Sequence, residues 1–191
     1  GAAFNRSDAP LSEDAALEPM SPYGATKAAA DIMLRQMAFD GLQATIFRPF
    51  NHTGPGQLPA YVVPAFASQI ARIEVGLQKP MLGVGNLEAR RDFLDVRDIV
   101  DAYLKAAYLD KLAAGEVFNL STGAPVQIAE MLSQLTGMAR VPIHVQVDPE
   151  RYLPNSIPVM SGDSSKAERL LGWTPAIALS QTLSDVLDAS R

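Results

Sequence analysis

Short β-prone runs alternate with longer helical stretches from residue 21 to residue 189, and few architectures accommodate that alternation. Ser21-Pro22 reads as a helix start, a capping hydroxyl followed by proline in the first turn. The Ala-, Met- and Leu-rich residues 23–39 then read as a largely buried helix ended at Gly41. Residues 42–47 form a β-prone run closed by Pro49, and Asn51-His52-Thr53-Gly54-Pro55-Gly56 reads as the loop after it. Helical spacing returns over residues 62–75, with Val63, Phe66, Ile70 and Ile73 on one side. Met81–Val84 is a candidate strand, residues 92–96 alternate, and residues 97–109 form a helix with Ile99, Val100, Tyr103, Leu104 and Ala107 as its apolar face. A strand at Glu116–Leu120, a helix at 128–135 and a half-buried strand at 143–147 follow. Residues 148–162, with Pro149, Pro154 and Pro158, read as irregular. Short helices at 164–171 and 179–189 flank Gly172-Trp173-Thr174-Pro175, where Trp173 reads as core packing. The alternation predicts an α/β fold with a mostly parallel sheet.

Composition removes several functions. With 48% hydrophobic and 19% charged residues, the 191-residue chain suits one folded domain with a sizeable core. Its net charge of -5, with Arg90-Arg91 as the only adjacent basic pair, argues against broad nucleic-acid binding. No cysteine is present, which excludes disulfides, thiolate metal sites and a cysteine nucleophile, and fits a cytoplasmic setting. No metal is called for. No apolar run reaches the roughly 20 residues of a membrane span. Gly1-Ala2-Ala3-Phe4 lacks the basic start of a signal peptide and an initiator Met, so a processed or truncated start is expected. Nowhere does a Gly-x-Gly-x-x-Gly turn lie between a strand and a helix, so the chain brings no dinucleotide-phosphate turn of its own.

Tyr23 and Lys27 lie four residues apart on the first helix, which puts both side chains on one face. An ammonium beside a phenol favours the phenolate and brings a tyrosine toward acid-base work near neutrality. Taken alone the spacing is common, and a helix-start tyrosine with a solvated lysine is the better explanation of it.

The surroundings are more specific. Ser21-Pro22-Tyr23-Gly24-Ala25-Thr26-Lys27-Ala28-Ala29-Ala30 closely resembles the active-site helix of the extended short-chain dehydrogenases/reductases, the NAD-dependent epimerase/dehydratase family. Arg48-Pro49-Phe50-Asn51-His52-Thr53-Gly54-Pro55-Gly56-Gln57, Arg91-Asp92-Phe93-Leu94-Asp95-Val96-Arg97-Asp98 and Leu171-Gly172-Trp173-Thr174-Pro175 match three further segments in the family's order, the last preceded by Asp163-Ser164-Ser165-Lys166-Ala167. Within the family, residues 51–57 are most similar to reductases of GDP-4-keto-6-deoxy-D-mannose, with the GDP-mannose 4,6-dehydratases as relatives.

The resemblance implies the C-terminal part of a Rossmann-type doubly wound parallel sheet plus a small α/β substrate-binding domain. Residues 1–55 would be the last strands and helix of an NAD(P)-binding domain whose glycine-rich part is absent. Residues 56–191 would be mainly substrate-binding, with segments near 91–120 returning to the Rossmann domain. The implied reaction is NADPH- or NADH-dependent reduction of the C4 ketone of a GDP-4-keto-6-deoxyhexose. Tyr23 would give the proton to the C4 oxygen, and Lys27 would support it and hold the nicotinamide ribose. Phe50 and His52 would lie near the nicotinamide, while Asn51, Arg91 and Arg151 would bind the sugar diphosphate. Without the resemblance, Asn51 is a turn former, His52 a backbone cap, and Arg48 a structural strand end. The family also suggests a homodimer packed through the 23–39 helix.

Two departures narrow the expectation. Leu153 stands where relatives carry a second arginine after the one matching Arg151. With Phe4-Asn5 aligned to the family's aromatic-Gly pair, the hydroxyl residue that binds the C4 oxygen would fall before Gly1. Ala2 would then replace the dehydratases' Glu, which favours reduction over dehydration. A nucleotide-sugar 4-epimerase or 4,6-dehydratase, and an inactive NAD(P)-fold scaffold or regulator, are the alternatives.

Overall fold

The computed structural model describes residues 9–109, 112–149 and 157–191. Ser21 caps the first helix, α1 (Pro22–Phe39), by accepting the Gly24 N–H at 3.0 Å, and Pro22 fills the first turn. Gly41, at φ 106°, turns the chain after it, a conformation that a Cβ disfavours. β1 (Thr45–Pro49), β2 (Asn51–Thr53), α2 (Val62–Glu74) and β3 (Met81–Val84) follow. β4 (Arg90–Arg91) and β5 (Phe93–Asp95) lead into α3 (Val96–Ala107). The rest is β6 (Glu116–Leu120), β7 (Val126–Gln127), α4 (Ile128–Gly137), β8 (His144–Val147), β9 (Val159–Met160), α5 (Ser165–Leu171) and α6 (Leu179–Ser190).

The pairing is mostly parallel, as the alternation predicts. β1 runs parallel to β6, from Thr45 opposite Glu116 to Pro49 opposite Leu120. β2 runs parallel to β5, and β3 to β8. β4 lies between β9, parallel, and β7, which is antiparallel. Among the described residues β1 has β6 as its sole partner strand, so its second edge is open.

Two large apolar clusters form. One joins α2, β3, α4 and α6 through Phe66, Ile70, Leu82, Met131, Leu135 and Leu183. The other joins β5, α3, β6 and α5 around Trp173, which is fully buried and donates its Nε1–H to the Asp98 carbonyl at 2.9 Å. A small third cluster packs Phe50 with Leu11 and Met160.

Five local readings change. The polar residues 51–53 form a strand, because their backbone pairs with β5 whatever their side chains prefer. Gly54 then passes Val96 so closely that a Cβ would meet the valine Cγ1 at 2.5 Å. α1 is not largely buried: it buries Gly24, Ala28, Asp31 and Ala38, while Ile32, Met33, Met37 and Phe39 are exposed. On α3 the buried positions are Asp98, Ile99 and Ala102, with Val100, Tyr103 and Leu104 half exposed. Asp98 can be buried because its carboxylate accepts the backbone N–H groups of Ala176 and Ile177. β5 is buried at all three positions instead of alternating, and β8, held by backbone pairing to β3, is exposed throughout.

Candidate active site

The capped first turn of α1 sets Tyr23 and Lys27 one turn apart. Lys27 Nζ lies 5.4 Å from the centre of the Tyr23 ring, within cation–π range, and the ring is 65% exposed. Both line a groove of about 390 Å³ together with Asp31, Arg48, His52 and Tyr103. The groove is also lined by the successive β1 residues Ile46, Phe47, Arg48 and Pro49. Neighbours on a strand face opposite ways, so a groove touching all four follows the open edge of β1.

The same alternation divides β2. His52 faces the Tyr23 groove, whereas Asn51 lines a second cavity of about 450 Å³ with Arg91. His52 Nδ1 sits 3.0 Å from the Phe50 carbonyl. A carbonyl only accepts, so Nδ1 carries the hydrogen and Nε2 points elsewhere. The loop after β2 is closed by Thr53 Oγ1 donating to Gln57 Oε1 at 2.7 Å.

The second cavity has an apolar wall from Tyr61, Phe66 and Phe93 and is also lined by residues 83–86. Arg91 is its cation. Burial pushes the guanidinium pKa below its ordinary value, and among the described residues no carboxylate pairs with it. Its Nη1 donates to the Arg90 carbonyl at 2.8 Å and reaches the Pro158 carbonyl at 3.4 Å. A half-buried planar cation lacking a counter-ion suits a phosphate. Arg90 is exposed and lies 3.6 Å from Glu130.

The next residue anchors this arrangement. The Asp92 carboxylate is fully buried and accepts the Thr122 N–H and hydroxyl at 2.8 and 2.7 Å and the Gly123 N–H at 2.9 Å. It thereby ties the turn after β6 to the β4–β5 junction beside Arg91.

Tyr23, Lys27 and His52 are thus brought to one groove, and Asn51 and Arg91 to one cavity. Phe50 is placed differently: it is 1% exposed and lies in neither lining. It packs against Gly162, where any Cβ would overlap the ring, and its carbonyl meets His52. Arg151 lies outside the described residues. Asp31, Tyr103 and Asp92 are in or behind the site without having been singled out. Asp31 was within reach of sequence reasoning, being one turn beyond Lys27 on the Tyr23 face. Tyr103 sits half exposed on a helix read as apolar, and burial pushes its phenol pKa up.

The residues fit the nicotinamide end of a dinucleotide. A lysine ammonium suits ribose hydroxyls, the Tyr23 ring lies beside it, and His52 faces the same groove.

The chain as a whole is similar to known proteins. The model of the family described as GDP-mannose 4,6 dehydratase matches residues 5–186. The chain is 35% identical to the GDP-6-deoxy-D-mannose reductase of Pseudomonas aeruginosa over 93% of its own length and 58% of the relative's. In structure it resembles RMD from Pseudomonas aeruginosa complexed with NADPH, with TM-score 0.91, 31% identity, and coverage of 100% of this chain and 64% of that one. It also resembles MoeE5 in complex with UDP-glucuronic acid and NAD, with TM-score 0.84, 26% identity, and coverage of 99% and 62%. The neighbours' Rossmann-type fold is the fold of this chain, and the chain spans less than two thirds of each relative.

Proposed function

The chain belongs to the GDP-mannose 4,6 dehydratase family, and we propose that the whole protein reduces the C4 ketone of a GDP-4-keto-6-deoxyhexose with NADPH or NADH. The observation that carries this reading is the placing of Tyr23 and Lys27 in a groove separated by one strand from the Arg91 cavity. A reductase of a nucleotide sugar needs that adjacency, because proton donor and diphosphate anchor must serve one substrate.

In this reading Tyr23 delivers a proton to the developing C4 alkoxide, and Lys27 favours the phenolate left behind. Lys27 also binds the nicotinamide ribose, and His52 bounds the nicotinamide end of the groove. The nicotinamide, when bound, supplies the hydride. Asn51 and Arg91, with Arg151, hold the sugar diphosphate. Residues 1–55 belong to the NAD(P)-binding domain, residues 56–191 mainly to the substrate region, and segments near 91–120 return to the first. The open edge of β1 supports this division, since parallel strands flanked by helices belong inside a larger sheet. A homodimer through the exposed apolar face of α1 and a cytoplasmic setting complete the reading. Among the described residues no helix is long and apolar enough to cross a membrane.

Incubating the intact protein with GDP-4-keto-6-deoxymannose and NADPH tests the proposal through consumption of NADPH. Tyr23→Phe is expected to lower turnover by about 10²- to 10⁴-fold while sparing nucleotide binding. Turnover retained in Tyr23→Phe sinks the catalytic assignment. No consumption by the wild type, with interconversion of nucleotide sugars instead, moves the function to a 4-epimerase or a dehydratase.

A further inference from the structure

α1 carries the proposed proton-transfer pair, yet the residues it buries are Gly24, Ala28, Asp31 and Ala38. Glycine and alanine present no large knob that packing could use to fix the rotation of a helix. Asp31 is the only longer side chain among them. Its carboxylate receives Arg48 Nε at 2.7 Å and Nη2 at 2.9 Å, a fork from β1, with both side chains more than nine-tenths buried. Arg48 Nη1 donates to the Glu13 carbonyl at 2.8 Å, and Arg35 Nε lies 3.0 Å from Asp31 Oδ1, the oxygen that also accepts Arg48 Nη2. Tyr23, Lys27 and Asp31 follow one another by single turns and line the same groove as Arg48.

A buried ion pair is a poor source of stability, because desolvation offsets attraction; its best-attested use is to fix register. A bidentate fork is also narrow in geometry. We propose that Asp31 and Arg48 are positioning residues, whose pairing sets the rotation and height of α1 over β1 and so aims Tyr23 and Lys27. The inference rests on the reading of that pair as the proton-transfer groups.

The test uses the intact protein and two variants, Asp31→Glu and the double variant Asp31→Leu/Arg48→Met. The double variant replaces the pair with apolar side chains of similar size, so its urea midpoint stays at or above the wild-type value. Its kcat falls about 10- to 100-fold and its KM stays within about threefold, since a misplacement near 1 Å suffices. Asp31→Glu keeps the charge but lengthens the arm, and it lowers kcat about tenfold with little change in midpoint. In both variants the amides of α1 exchange hydrogen several-fold faster than in the wild type, while those of α2 and α6 do not change. Wild-type kcat in either stable variant, or a kcat loss that only tracks the midpoint, overturns the proposal. Should the wild type consume no 4-keto sugar, the functional reading fails, and exchange in α1 decides alone: faster in the variants supports the clamp, unchanged overturns it.

Discussion

At the scale of single residues, chemistry and burial decide what a motif can do. Arg91 and Phe50 both sit in segments that match the family, but only one of them faces a cavity. The Phe50 ring is buried because Gly162 leaves room for an aromatic face and Leu11 and Met160 complete the cluster, contacts made across long stretches of chain that no local pattern reveals. Arg91 faces its cavity from the end of a two-residue strand whose neighbours supply carbonyls for one guanidinium nitrogen and, among the described residues, no carboxylate for the rest. A charge-assisted hydrogen bond is worth about 1.5–3 kcal/mol, so Arg91→Met is expected to raise KM for the nucleotide sugar about 10- to 100-fold. The change in kcat should be smaller, because a diphosphate contact is equal in ground and transition states. Steady-state kinetics on the intact protein check this; a variant that loses kcat at constant KM would place Arg91 at the reacting carbon instead.

Elements were legible where period and punctuation agreed. The capping Ser21, the proline after it and Gly41 bound α1 closely, and the strands at Met81–Val84 and Glu116–Leu120 fall where the β-prone runs put them. Burial was less legible, since an apolar face names no partner. α1 turns its methionines outward because alanine and glycine bring its backbone close to the rest of the chain, and α3 buries Asp98 because a bend at residues 176–177 offers it two N–H groups. The junction of β5 and α3 shows the same use of a buried acid. Asp95 caps α3 and accepts from Arg97 and from the Thr182 hydroxyl of α6 at 2.8 Å. Burial alone raises its carboxyl pKa, yet the hydrogen bonds from Arg97 and Thr182 outweigh it and hold the group below the ordinary carboxylate range. A depressed folded pKa stabilises the protein above the unfolded value and loses that contribution as pH falls through the folded one. Asp95→Asn is therefore expected to destabilise the protein by about 2 kcal/mol at neutral pH. The gap between variant and wild type should close as pH drops below the ordinary carboxylate range. Urea midpoints measured from neutral to acid pH read that gap, and a gap that stays constant to the acid end would remove the charge from the account.

For the whole molecule, the informative feature is that two cavities share β2. Asn51 and His52 face opposite sides of one short strand, and that strand hydrogen-bonds to β5, which leads directly from Arg91 and Asp92. A ligand in either cavity must therefore bias the same backbone. Hydrogen exchange on the intact protein can separate the contributions, since an amide slows when a ligand stabilises the closed state. NADPH alone should slow exchange in the first turns of α1 and in residues 51–57. GDP alone should slow residues 61–66 and 83–91, and again residues 51–57. The shared response at β2 implies that each ligand changes the affinity of the other by one common factor, because coupling between binding sites is reciprocal. Titration of GDP with and without saturating NADPH, and of NADPH with and without GDP, measures that factor twice. Two equal factors different from one fit a shared strand; protection of α1 by GDP alone, with residues 83–91 unmoved, would mean that the Arg91 cavity is not where the nucleotide binds.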